Sequence, residues 1–383
     1  MTHNPDTTGR ITSSVLPSGE QTKTCKRAEG GIWEGSGKDV GVQWVSGVRS
    51  VGVHTFNGLS DLSVLTNSGL RAMIIRSASF LTMPKPRVVI VKAPKFQFQP
   101  GVAQDSLMDR MLSLAMTKFT GEADPRDAWA RFFNPKSVVG AKLNCLAGKW
   151  LSTSLPLSYA VAQGLKSVGV KEKNIIFWER MNSELKEAGF PLNYEGPGLR
   201  CFATDTNGVG YDSDLTVSGE VGSLVSRVLS SYVTHHINLP LVKDHTIPGL
   251  SAGMKNFYGA IHNPNKYHDN HCDPYVADVY SLPPIKSKNV LTILDATRIQ
   301  YNFGPAYKPQ WVENYDALIV GTDPVALDSV ALKILEEIRR QKGMPTLEQA
   351  GRPVKYLATA ADSSHRLGEY RLAKIEVIEA EVI

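Results

Sequence analysis

The sequence predicts an α/β protein, a mainly parallel sheet covered by helices and built from serial βα units, behind a poorly structured N-terminal extension. Two observations carry this. From residue 87 onward, apolar runs of strand length alternate with stretches of helical spacing, and that alternation builds a parallel sheet with helices on its faces. Several of the runs end in polar or glycine-containing loops, where open α/β sheets gather ligands. Residues 1–85 are rich in Gly, Ser, Thr and Val without a sustained period of 2 or 3.6, which reads as an extension with little structure of its own. Met83 stands immediately before PKPRVVIVKAP, the first convincing strand, so the functional protein is expected to begin near it. Residues 86–383 read as the α/β domain, with a division into two lobes placed near 190–235.

In chain order, 88–91 is a buried strand, 104–118 a helix through Leu107, Met111, Leu114 and Ala115, and 125–133 a second helix. The strand 138–144 ends at Asn144, and the loop CLAGKWLSTS leads into a helix at 156–168. Lys142, Asn144, Lys149, Ser152, Thr153 and Ser154 would form an anion-binding lip there; hydroxyls in that place also serve as ordinary helix caps. NIIFWERMNSELKEAGF reads as strand 174–178, then Glu179 and Arg180 placed for ligand contact or for pairing with each other, then a helix from Asn182 stopped by Gly189. Beyond the loop-rich 191–218 come a helix at 221–230 and a strand at 232–241. The strand 288–298 carries Asp295, with Thr297 and Arg298 at its end. The strand 315–320 feeds a helix at 325–342 with Asp323 as N-cap and Pro324 at the first helical position. A short helix at 353–361 precedes LAKIEVIEAEVI, whose alternation marks a half-exposed, edge-like strand.

The stretch INLPLVKDHTIPGLSAGMKNFYGAIHNPNKYHDNHCD, 237–273, is the most informative. Six of the nine histidines, His235, His236, His245, His262, His268 and His271, lie in or beside it. Imidazole is the side chain most easily retuned near neutral pH and the commonest metal ligand. Leu250, Met254, Phe257 and Ile261 recur at steps of four, three and four, which predicts a short amphipathic helix with Ser251 and Lys255 on a neighbouring stripe. Gly249, Gly253 and Gly259 are costly in a helix and point to close approach of backbone or ligand. His245 just before a helix start, with Lys255 and Asn256 inside it, is a pattern suited to an anion.

Composition narrows the partners. A net charge of +5 over 383 residues, without Lys/Arg runs, gives no footprint for nucleic acid, and no stretch approaches the length of a membrane-spanning helix. Cys25, Cys145, Cys201 and Cys272 stand far apart with no C-x-x-C pair, so there is no ferredoxin-type cluster motif; isolated reduced thiols fit a cytoplasmic setting.

The segments LPLVKDHTIPGLSAGMKNFYGAIHNP, SVVGAKLNCLAGKWLSTS and GLKSVGVKEKNIIFWERMNSELKEAGF resemble the family known as domain of unknown function 362, over roughly 87–345. That resemblance implies a link to iron–sulfur proteins, since many members add ferredoxin-type clusters, and some relatives carry export signals. Relatives often have a His-Pro pair where this chain has Ser154-Leu155. A more local resemblance is to lactate racemase-like proteins, in which a His and a Lys ten residues on help hold a nickel-pincer nucleotide. Here His245 and Lys255 are ten apart and His271 would stand for a later metal ligand, while Ala252-Gly253-Met254-Lys255 replaces the racemase Gly-Gly-Arg-Lys.

Two functions are consistent with these residues. One is an enzyme or ligand-binding protein, of racemase, isomerase or oxidoreductase type, with a Lys/His site for a small anion or a metal cofactor at the strand ends. Its catalytic residues would be Lys255, His245 and Asp295, and its ligand-binding residues Lys142, Asn144, Ser152, Thr153, Gly249, Ser251 and Asn256. His245, His268 and His271 would hold a divalent transition metal. The other is an iron–sulfur or small-anion binding component without turnover.

Overall fold

Short, strongly apolar strands are buried on both faces only if something covers both, and the computed structural model arranges the chain accordingly. It describes residues 85–382 apart from Lys95, Ala103 and Gln104; apart from Lys85, the expected extension lies outside the described residues. The described residues fall within one unit, 82–383. The first half runs β1 (Arg87–Lys92), α1 (Ser106–Thr120), α2 (Pro125–Ala130), β2 (Val139–Lys142), α3 (Leu155–Ser167), β3 (Ile175–Trp178), α4 (Asn182–Glu187) and β4 (Arg200–Cys201). A small hairpin, β5 (Thr216–Ser218) and β6 (Val221–Ser223), precedes β7 (His235–Asn238), β8 (Leu241–His245) and β9 (Gly249–Ser251). Then come α5 (Tyr275–Ser281), α6 (Pro283–Lys288), β10 (Asn289–Gln300), β11 (Val312–Gly321), α7 (Pro324–Gln341), α8 (Tyr356–Ala360) and β12 (Glu376–Glu381).

The sheet follows the order β12-β1-β11-β10-β7-β2-β3-β4, with β8 beside β10 and β9 beside β8. Pairing is parallel except at β1–β11, β10–β11 and β8–β9, so the predicted α/β class with a mainly parallel sheet is what the chain forms. The helices α1, α2 and α3 cover one face, where Met108, Met111, Leu157, Val161 and Ile293 share a core. On the other side α7 packs Leu327, Val330 and Ile334 against Ile90, Leu294 and Ile319. Asp323 caps α7 by accepting from Ala326 N at 2.8 Å, with Pro324 next. The terminal strand β12 is an edge strand, parallel to β1 and half exposed, as its alternation implies.

Three elements differ from the sequence reading. The strand expected over 232–241 is broken: Pro240 cannot donate to a ladder, and the chain steps from β7 to β8 at Leu239-Pro240. The helix expected over 221–230 is instead β6 and a single wide helical turn, Val228–Tyr232. Most consequential, 250–261 is not an α-helix. It is β9, a turn, and a six-residue 3-10 helix, Lys255–Ala260. Gly249, the first residue of β9, has φ +75, a left-handed value that lets the chain turn back from β8. The Asp328 carboxylate on α7 accepts from Gly253 N at 2.7 Å and Met254 N at 3.1 Å, fixing the turn. Met254, Phe257 and Ala260 step by three, the 3-10 period, and are fully buried.

The segment after α8 is clasped by two carboxylates. Both ring nitrogens of His365 face one: Asp278 Oδ1 on α5 at 2.9 Å and Asp362 Oδ1 at 3.0 Å. Only the imidazolium donates from both. Burial by itself lowers the His365 pKa, but the two hydrogen bonds outweigh it and raise it above 6.5. A raised folded pKa gives stabilisation that is complete below the unfolded value and is lost as pH rises through the folded one. Amide exchange over residues 362–369, corrected for the intrinsic rate, should therefore quicken relative to β10 as pH rises above the ordinary histidine pKa of about 6.5. His365→Gln should abolish that difference; protection that ignores pH in the parent protein would remove the clasp from the account.

Candidate functional site

The carboxyl ends of β2, β3 and β8 converge, and the 3-10 helix lies across them. Between them is a cavity of about 490 Å³ whose lining includes Asn144, Glu179, Lys243, His245, Ser251, Lys255, Asn256 and His268. Its volume is in the range of small-molecule sites.

The floor is a chain of amides. Asn144 Nδ2 donates to Asn256 Oδ1 at 3.0 Å, Asn256 Nδ2 to Asn238 Oδ1 at 2.8 Å, and Asn238 Nδ2 to the Gly253 carbonyl at 2.7 Å. Asp328 continues it through the N–H groups of Gly253 and Met254 and accepts from Tyr356 OH at 3.0 Å. Burial raises the Asp328 pKa to about 7 despite those three donors. The loop before α3 is tied down by Thr153, whose hydroxyl donates to Leu239 O at 2.6 Å and accepts from Asn144 N at 2.8 Å. Buried amides with complete partners have one arrangement, so the floor is rigid.

Three lysines surround it. Lys142, fully buried at the end of β2, pairs with Glu179 Oε2 at 2.5 Å and donates to Leu143 O at 2.9 Å. Gly259 permits this pair, since a Cβ there would lie 2.7 Å from Lys142 Nζ. The other carboxylate in the lining, Glu184, is held by Arg180 at 3.0 Å. Lys243, 1% exposed, donates to Asn144 Oδ1 at 2.9 Å and has no acid partner among the described residues. Burial lowers its pKa to about 8. Lys255, 6% exposed, places Nζ 3.1 Å from His268 Nε2 and 3.3 Å from the Tyr258 ring centroid. Burial, with Lys243 nearby, lowers its pKa to about 7. His268 Nδ1 lies 3.1 Å from the Pro264 carbonyl, which fixes the proton on that nitrogen and leaves Nε2 to accept from the lysine. His245 lies against His268, ring centroids 5.8 Å apart, and accepts from Ile247 N at 3.2 Å. Burial first, then Lys255 and His268, push its pKa far down.

Of the expected site residues, the cavity lining gathers Lys255, His245, Asn144, Ser251, Asn256 and His268. Lys142 stands behind Glu179, Ser152 is bonded within the loop to the Gly148 carbonyl, and Thr153 ties the loop to the Leu239 carbonyl. Gly249 packs against the Arg352 carbonyl. Asp295 faces away, accepting from Ser154 N at 2.9 Å and from the Thr297 hydroxyl at 2.6 Å, so it anchors the start of α3. His271 is half-buried outside the cavity lining, with Nδ1 on the Ile247 carbonyl at 3.0 Å. The three imidazoles thus do not share a centre, and among the described residues no group of three or more His, Cys, Asp or Glu is placed to hold a metal ion. The α-helix start expected there does not exist, and the positive groups of the lining are side chains. Lys243, Tyr258 and Asp328 were missed by sequence reasoning. Lys243 had a signal: a lone lysine within the apolar run of β8.

Residues 160–333 match the model of the family described as domain of unknown function (DUF362), in keeping with the resemblance stated above. The span includes Glu179, Lys243, His245, Lys255 and His268, and begins after Lys142 and Asn144. Among solved structures, a protein from Thermotoga maritima is 12% identical, covering 64% of this chain and 60% of its own, with a TM-score of 0.39. The lactate racemase apoprotein from Thermoanaerobacterium thermosaccharolyticum is 10% identical over 62% of this chain and 54% of its own, with a TM-score of 0.34. The chain therefore spans less than two thirds of either. No curated protein matches. Among the described residues no helix is long and apolar enough to cross a membrane.

Proposed function

We propose that the cavity binds a small organic anion and that Lys255, working with His268, exchanges a proton with it, Lys243 holding the negative charge. One observation carries the reading: Lys243 and Lys255 are buried in one cavity lining without a carboxylate, while Glu179 and Glu184 in that lining already have basic partners. A buried ammonium without a counter-ion is costly. A ligand carboxylate supplies the missing charge. A lysine with a pKa near 7 is matched to proton transfer at neutral pH, and His268, kept neutral by burial, orients it by accepting its hydrogen bond at Nε2. Proton exchange at the carbon beside a ligand carboxylate is the reaction class this supports. Holding the anion without turnover is the second reading, favoured if no proton moves.

Calorimetric titration with 2-hydroxy and 2-oxo monocarboxylates and with inorganic phosphate tests the binding. Affinity for the anion should be highest below about pH 7 and fall toward pH 9 as Lys255 and then Lys243 lose their protons. Deuterium incorporation at the α-carbon in D2O, followed by proton NMR, tests the chemistry. Binding without incorporation leaves a binding component; no binding by any of these anions ends the proposal.

A further inference from the structure

We infer that the ligand is an amphiphilic monocarboxylate, bound with its carboxylate on the cavity floor and an aliphatic or aryl body at the mouth. The inference rests on the anion-binding reading above and names its substrate class. The polarity of the cavity is the reverse of an ordinary protein surface. Its deep residues are polar, with Lys243, Lys255, Ser251 and Asn144 each no more than 9% exposed. Large apolar residues stand in its outer lining beside the exposed Thr246 and Asn265: Leu146 is 51% exposed and Ile247 38%. A protein ordinarily buries its large aliphatic side chains and exposes its lysines. A ligand that presents charge inward and hydrocarbon outward reverses the order to match.

The two aliphatic residues are held in place. Ile247 sits in the β8–β9 turn, where its N–H donates to His245 Nδ1 at 3.2 Å and its carbonyl meets His271 Nδ1 at 3.0 Å. Leu146 follows Cys145, whose N–H reaches Glu179 Oε1 at 3.5 Å. Nearby charge does not compete for the ligand's tail, because Arg180 is paired with Glu184. The head is a monoanion rather than a phosphate dianion, since the two amines without an acid partner are only partly charged near neutral pH and the guanidinium in the lining is engaged by Glu184. A two-carbon acid would leave most of the 490 Å³ unfilled.

The test is a chain-length series of acetate, butyrate, hexanoate and octanoate, titrated calorimetrically into the full-length protein at about pH 6.5, with hexanol as the uncharged control. Each added methylene should tighten binding about three- to fourfold until the tail leaves the rim. Hexanol should bind far more weakly than hexanoate. In the Leu146→Ser, Ile247→Ser double variant the gain per methylene should shrink toward one. A flat series in the parent protein, or an unchanged slope in the double variant, overturns the inference while leaving anion binding intact. Failure of every carboxylate, acetate included, overturns the anion-binding reading and this one with it.

Discussion

Glu179→Ala should destabilise the protein by about 3–5 kcal/mol, the usual result of removing one member of a buried ion pair. Lys142 is fully buried and would keep only the Leu143 carbonyl as an acceptor, with the Trp178 ring 5.4 Å away. Glu179 also accepts from Arg180 N at 2.6 Å, so the loop after β3 loses its anchor together with the charge. The pair itself is not the source of the stability at stake; the stranded ammonium is. Lys142→Met combined with Glu179→Leu should therefore recover most of the loss. Urea unfolding gives the measurement, with the shift read from the midpoint at constant slope. A loss below about 1 kcal/mol for Glu179→Ala would mean that water reaches Lys142 and that the pair is in effect exposed.

The second large effect has the opposite sign for stability. Lys243→Met and Lys255→Met each remove a buried amine that has no acid partner. Each should leave the protein as stable as before or more so, since relieving an uncompensated buried charge offsets the lost hydrogen bond. Anion affinity should fall by about 2–5 kcal/mol, from roughly thirtyfold to several thousandfold. The combination, a higher melting temperature with lost binding, separates a ligand-facing lysine from a structural one. A destabilised Lys255→Met protein that still binds carboxylates would assign Lys255 to packing on Tyr258 instead.

Most of the fold was legible because its signals are local. The strands β2 and β3 are short apolar runs, the longer β10 and β11 each contain one, and Asp323-Pro324 marks the start of α7 without ambiguity. The site was legible in part for the same reason: His245, Lys255 and Asn256 lie in one stretch. The 3-10 helix was not, since an apolar spacing of four, three and four fits an α-helix as well. The Asp328 carboxylate that fixes the preceding turn lies 75 residues away from Gly253. Asp295 shows the converse error. Its place on a strand beside the ligand end suggested chemistry, but the β10 register turns it toward Ser154. In a strand buried on both faces, as β10 is, no alternation marks which face a residue occupies, and the pairing of the sheet decides it.

The amide chain beneath the cavity draws on Asn144, Asn238, Gly253, Asn256, Asp328 and Tyr356. A chain emerging from the ribosome thus holds the recognisable lysine and histidine long before it holds a binding site, because the last contributor arrives only with α8. On the proposed function, carboxylate binding would then report that synthesis and folding have passed α8, and a protein truncated ahead of Tyr356 would keep the sequence signature of the site without its affinity.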